Sequence, residues 1–182
     1  MKCAAKKRSR ARACRSLLAA LVLSGGALAG AGSAVAADQA TPQRAPAAQC
    51  KGGQLTVSGT SGTGQARVTV VNKGPKACVL AGFPTVALAG QGSPDRNKPL
   101  SVSRTGSAKP VQLAVGGRAA SQLTFPPVLG EADGYCASGA KPIAAPTMVV
   151  GVAGTKTQIA PSDGGNFAIC GNSVRATAFR AA

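Results

Sequence analysis

The sequence predicts an all-β fold, an immunoglobulin-like antiparallel β-sandwich held by two disulfides. Three observations carry that expectation. Short period-2 segments of Val, Leu, Ala and Thr recur at roughly regular spacing and are broken by Gly, Pro, Asn and Ser. After residue 37, no window of 11 or more residues shows a convincing 3.6-residue apolar period, and 24 Gly and 12 Pro in the whole chain oppose long helices. Four cysteines remain once an N-terminal export signal is removed.

The export signal comes first along the chain. Lys2, Lys6, Lys7, Arg8, Arg10, Arg12 and Arg15 form a basic region without an acid, and Leu17 to Ala29 follows as an apolar run. That run of about 13 residues is shorter than the roughly 20 needed to span a bilayer core, so it reads as the centre of a signal peptide rather than an anchor. Ala34-Val35-Ala36-Ala37 offers cleavage after Ala36 or Ala37. No Cys stands directly after the apolar run and no Arg-Arg pair precedes it, which disfavours a lipoprotein anchor and twin-Arg export. The domain layout is therefore a signal peptide over 1–37, a flexible linker over 38–49 (rich in Ala, Pro and Gln) and one β-sandwich domain over 50–182. The mature chain is expected to be extracytoplasmic, with no transmembrane segment. It keeps 14 basic residues against all five acids, Asp38, Asp95, Glu131, Asp133 and Asp163, for a net charge of +9.

Leu55-Thr56-Val57 and Ala66 to Val70 alternate and read as two antiparallel neighbours. Gly59 to Gly64 is read as the hairpin turn between them, because it lacks the Lys and the following helix of a phosphate loop. Val71-Asn72-Lys73-Gly74-Pro75 is a turn signal. Val86 to Leu88, Val102, Val111 to Val115, Ala119 to Phe125, Phe167 to Ile169 and Val174 to Phe179 supply further strands. Met148 to Val152 and Thr157 to Ile159 form a hairpin around Ala153-Gly154. The core is built from Val, Leu and Ala, with Phe83, Phe125, Phe167, Phe179 and Tyr135 as its few large members.

Cys50, Cys78, Cys136 and Cys170 are an even number in an exported chain, which makes disulfides the default state. Cys50 precedes the first strand and Cys78 follows the second, so an antiparallel pair brings them to the same end. Cys136 and Cys170 flank the later hairpin in the same way. The favoured pairing is thus Cys50–Cys78 and Cys136–Cys170. A bridge between Cys78 and Cys136, of the inter-sheet immunoglobulin type, is the rival.

The chain contains no His. That excludes a Ser–His–acid triad, a Cys–His pair and His-ligated metal sites. Five acids, two of them in one loop, leave little for a carboxylate-pair glycosidase. Ser162 and Ser173 stand near no Lys in a recognisable motif. The expectation is a non-enzymatic domain with no catalytic residue, no metal and no cofactor. The densest basic patch is Arg96, Lys98, Arg104 and Lys109. Scattered single bases without interleaved aromatics, in an exported chain, argue against nucleic acid and fit an anionic cell-wall polymer or another secreted protein. A domain binding or structural at the cell envelope is the leading expectation. The alternative is a secreted protease inhibitor that presents the loop Pro126 to Tyr135.

Cys50, Leu55 to Val57, Asn72 to Gly74, Cys78-Val79-Leu80-Ala81-Gly82-Phe83-Pro84, the Leu113 to Phe125 stretch, Cys136 and Cys170 together resemble a family of secreted actinobacterial proteins known only as a domain of unknown function. The resemblance covers about 120 residues. It implies a secreted β-sandwich and no known activity. Phe125 departs from the pattern, where many members are expected to carry Trp. In the central motif Cys78 is expected to anchor a strand end, Leu80 to enter the core, Gly82 to take a backbone conformation closed to other residues, and Phe83 before Pro84 to plug the core's end.

Overall fold

A computed structural model describes residues 46–130 and 134–182. The signal peptide, its cleavage site, most of the linker, and Glu131 and Asp133 lie outside these residues. The described chain is all-β, apart from one 3-10 turn at Gly52–Gln54. Its strands are β1 (Leu55–Gly62), β2 (Gln65–Asn72), β3 (Cys78–Leu80), β4 (Thr85–Ala89), β5 (Asn97–Pro99), β6 (Ser101–Thr105), β7 (Val111–Leu113), β8 (Arg118–Thr124), β9 (Pro142–Ala145), β10 (Thr147–Val152), β11 (Thr155–Ile159), β12 (Phe167–Cys170), β13 (Ser173–Thr177) and β14 (Arg180–Ala181).

Two sheets form the sandwich. The larger runs β1-β2-β8-β13-β6, with β14 also on β8, and the smaller runs β11-β10-β4-β5. Alternation buries Leu55 and Val57 of β1, Ala66, Val68 and Val70 of β2, Ala119 and Leu123 of β8, and Val174 and Ala176 of β13. These meet Val86, Leu88, Met148, Val150, Val152 and Ile159 of the smaller sheet in one core. Burying apolar surface at roughly 25 cal/mol per Å² is the main source of stability here. Strands β4 and β10 are buried on both faces, so they read as continuous apolar runs rather than as alternation. On their second face Ala87, Ala89 and Val149 make a small separate cluster. Nearby, the Gln158 amide donates to Gly90 O and Thr147 Oγ1, both at 2.9 Å.

Two further ladders, β12-β9 and β3-β7, are two-stranded. Phe125 meets Phe167 edge-on at 6.1 Å between ring centroids, which ties the end of β8 to β12. Both favoured disulfides are present. Cys50–Cys78 spans 4.9 Å between Cα atoms and Cys136–Cys170 spans 5.5 Å. The rival Cys78–Cys136 bridge does not form. Ala48 and Gln49, at the end of the expected linker, already join the fold: Val79 N donates to Ala48 O, and Cys50 N donates to Val79 O.

Three features differ from the sequence reading. The Gly-rich stretch Gly59 to Gly64 is mostly strand: β1 runs to Gly62, which pairs with Gln65, and only Thr63-Gly64 makes the turn. Gly59 belongs in β1 because a Cβ there would lie 2.8 Å from Ile159 Cδ1 and Cγ2, where β1 crosses β11. Tyr135 is not a core residue; it is 62% exposed, while Phe125, Phe167 and Phe179 are buried and Phe83 is half-buried. The larger sheet also contains one parallel ladder, β6 with β13. It arises because β5 and β6 are nearly one strand that changes sheets at buried Leu100. Leu100 N donates to Val86 O in one sheet, and Ser101 N donates to Asn172 O beside the other.

Asn72 is the one buried amide at the end of β2. Its Nδ2 donates to Lys76 O (2.9 Å), Leu113 O (3.1 Å) and Ala114 O (3.2 Å), and its Oδ1 accepts from Gly74 N (3.0 Å). Its backbone N–H donates to Gly117 O, and its carbonyl accepts from Gly116 N. One side chain therefore locks the β2–β3 turn to the β7–β8 turn. The Asn-x-Gly turn signal is a buried junction between two turns.

Candidate functional site

Charge is distributed very unevenly over the described residues. They carry 13 bases and two acids, Asp95 and Asp163, and no strand contains an Asp or Glu. Among them there is one ion pair, Lys156 Nζ to Asp95 Oδ1 at 3.8 Å, and it is exposed. No group of three or more His, Cys, Asp or Glu is placed to hold a metal ion among these residues. Every buried side-chain polar atom there has a hydrogen-bond partner.

The four-base patch Arg96, Lys98, Arg104 and Lys109 divides into two places. Arg96 and Lys98 line a shallow groove of about 360 Å³ with Leu88, Ala89 and the β9 residues Ile143 to Ala145. Lys109 lines a different groove, of about 290 Å³, with Val111, Phe179 and Arg180. Arg104 sits with its guanidinium 5.6 Å from the centroid of the Phe83 ring. That contact follows from the central motif. Gly82 takes φ +97, which side chains disfavour, and turns the chain so that its carbonyl accepts from Phe179 N. Leu80 and Pro84 go into the core while Phe83 stays half-exposed as a platform for Arg104. Arg180, beside Lys109, is the member of this group that spacing along the chain does not reveal.

The outer face of the larger sheet is mostly polar and basic, with Val71 and Ala120 as its half-buried apolar members. Its rows follow the register: Thr60, Arg67 and Gln122 across one line, and Gln65, Thr124, Arg175 and Ser103 across the next. Arg118 stands at the far end of β8 on the same face, since alternation places it with Gln122 and Thr124. The second row ends in a concavity of about 520 Å³, lined by Ser103, Thr124, Ser173 and Arg175 with Phe125, Pro126 and Pro127. Spacing along the chain could not have assembled it, because its residues come from three strands, two of them joined by the parallel ladder.

The loop that begins at Pro126 is exposed and its base is clamped. Leu129 and Tyr135 exchange two backbone hydrogen bonds of 2.8 Å. Cys170 N donates to Pro126 O at 2.9 Å, and Cys170 is also bonded to Cys136, directly after Tyr135. Leu129 and Tyr135 are two of the exposed large hydrophobic side chains, with Val115 the third.

Fold and surface together define a disulfide-stapled β-sandwich whose strands present bases and hydroxyls and no carboxylates. Among the described residues no helix is long and apolar enough to cross a membrane. The chain belongs to the family described as Domain of unknown function (DUF4232), whose model matches residues 50–180. No curated protein and no solved structure matches the chain.

Proposed function

We propose that this is an exported, non-enzymatic domain that binds anionic polymer of the cell envelope through the basic, hydroxyl-rich outer face of its larger sheet. The observation that carries the reading is the charge imbalance of the chain after residue 37, 14 bases against five acids, with a single exposed ion pair among the described residues. Bases that are not neutralised within the fold set up a positive potential, which draws polyanions and weakens as salt rises. The signal-like N-terminus and the two disulfides support the extracytoplasmic placement. The direct test is sedimentation of the mature domain with purified anionic wall polymer and with an uncharged glucan. Retention on the anionic polymer alone, falling between about 50 mM and about 300 mM salt, is expected. Equal retention on both, or none on either, overturns the reading.

A second reading has one specific observation behind it. The loop Pro126 to Tyr135 is exposed at Leu129 and Tyr135 and clamped at its base, as a protease-inhibiting loop needs to be. Slow-tight inhibition of a secreted serine protease, with the loop recovered uncleaved, would favour it. Rapid cleavage without inhibition would remove it.

A further inference from the structure

The concavity of about 520 Å³ on the proposed polymer-binding face has a composition that selects among anions. Arg175 of β13 stands opposite Ser103 of β6 in the parallel ladder and opposite Thr124 of β8 in the antiparallel one. Residues directly opposite in a sheet share a face with Cβ atoms roughly 5 Å apart, so the guanidinium is flanked by a hydroxyl on each side. Ser173 adds a third hydroxyl from the same strand as Arg175. None of these four side chains hydrogen-bonds to another described residue, and neither Asp95 nor Asp163 lines the space. One wall is the segment Phe125-Pro126-Pro127. Phe125 N donates to Gly64 O, Pro126 O accepts from Cys170 N, and the prolines have no N–H.

We infer that this cleft is a subsite for the phosphate group of a sugar or polyol phosphate, an inference that rests on the polymer-binding reading above. The guanidinium fork matches two oxygens of an oxyanion. A carboxylate has only those two, whereas a tetrahedral phosphate keeps further oxygens for the hydroxyls of Ser103, Thr124 and Ser173. The volume of about 520 Å³ exceeds what a phosphate alone occupies and leaves room for one ring or polyol unit against the proline wall.

Amide NMR of the mature domain, titrated with glycerol 3-phosphate, glycerol and glucuronate, tests the site. Saturable shifts at Ser103, Thr124, Ser173 and Arg175 with the phosphate, and none with glycerol, are expected. Arg175→Gln should weaken phosphate binding by about tenfold or more, while Lys141→Gln, outside the larger sheet, should change it less than about twofold. Both side chains are exposed, so neither variant should disturb the fold, and matched denaturation curves check that. Glucuronate binding as tightly as the phosphate, equal losses in the two variants, or shifts spread over all basic residues would overturn the inference. Oligomeric glycerol phosphate, titrated in parallel, tells whether a terminal ester or a chain diester is preferred; preference for either supports the subsite. If polymer retention survives in Arg175→Gln and the phosphate causes no saturable shift, the subsite fails and the polymer reading stands. If the phosphate saturates the cleft but no wall polymer is retained, the subsite stands and the envelope reading fails.

Discussion

Replacing Asn72 by Ala removes four side-chain hydrogen bonds at a position with no solvent exposure. The affected partners do not all suffer equally. Ala114 O still accepts from Gly117 N, and Leu113 keeps its ladder position opposite Cys78. Gly74 N–H is buried and has no other partner among the described residues, and Lys76 O loses its partner in a partly buried setting. An unpaired buried polar group costs about 1–3 kcal/mol, so one full orphan and one partial orphan give about 2–4 kcal/mol. Against a typical total of about 5–15 kcal/mol this is a large fraction. Urea unfolding of the mature, oxidised domain should therefore show a midpoint lower by about 1–2 M for a slope near 2 kcal/mol/M. Asn72→Asp sharpens the test. It keeps an acceptor for Gly74 but turns an oxygen toward three carbonyls, which favours the protonated carboxyl in the folded state. With the folded pKa raised above the unfolded one, the variant should gain stability as pH falls from about 7 toward 4. A loss below about 1 kcal/mol for Ala, or an Asp variant as stable as the parent, would show that the two turns do not depend on this side chain.

Further outcomes follow from the same structure. Removing Cys136–Cys170 by a double Ser substitution should cost about 3–4 kcal/mol, as its 34-residue separation implies in the chain-entropy model, read as a lowered unfolding midpoint under non-reducing conditions. Gly59→Val should cost about 1–3 kcal/mol, because its Cβ lands on Ile159 where β1 crosses β11, and Ile159→Ala in the same chain should recover part of that loss. Gly82→Ala should destabilise by about 1 kcal/mol through its φ of +97 and broaden the Phe83 signals, which NMR of the aromatic region detects. The chain has no His, the one side chain whose ordinary pKa lies between 5 and 8, so polymer retention should vary less than roughly twofold over that range.

Much of the sandwich is legible along the chain because strand alternation is local. Ala66 to Val70 and Ala119 to Leu123 show their inward faces by period 2, and the structure buries those faces. The cysteine pairing is also legible, since an antiparallel hairpin returns the chain to its starting end. What stays hidden depends on contacts that no window of sequence contains. The glycines of 59–64 look like a turn, and only the crossing of β1 over Ile159 explains why a strand needs one of them. Tyr135 looks like a core aromatic, yet its neighbours Leu129 and Cys136 turn it outward at the foot of a loop. Arg96, Lys98, Arg104 and Lys109 look like one patch because they are close in sequence, but the change of sheets at Leu100 separates them. The same change of sheets brings Ser103 beside Arg175. Parallel pairing between segments about 70 residues apart leaves no local trace, so the cleft becomes visible only in three dimensions.

The paired Leu129 and Tyr135 have a bearing on how this surface can diversify. Chain that departs and returns through one bonded pair, with a covalent bridge immediately behind it, transmits little of its own length or composition to the sheets. Loop-closure cost grows only slowly with added residues, by about 0.6 kcal/mol per doubling. The position is therefore a natural splice point. Sequence inserted between Gly130 and Gly134 would be carried by a frame that does not register it.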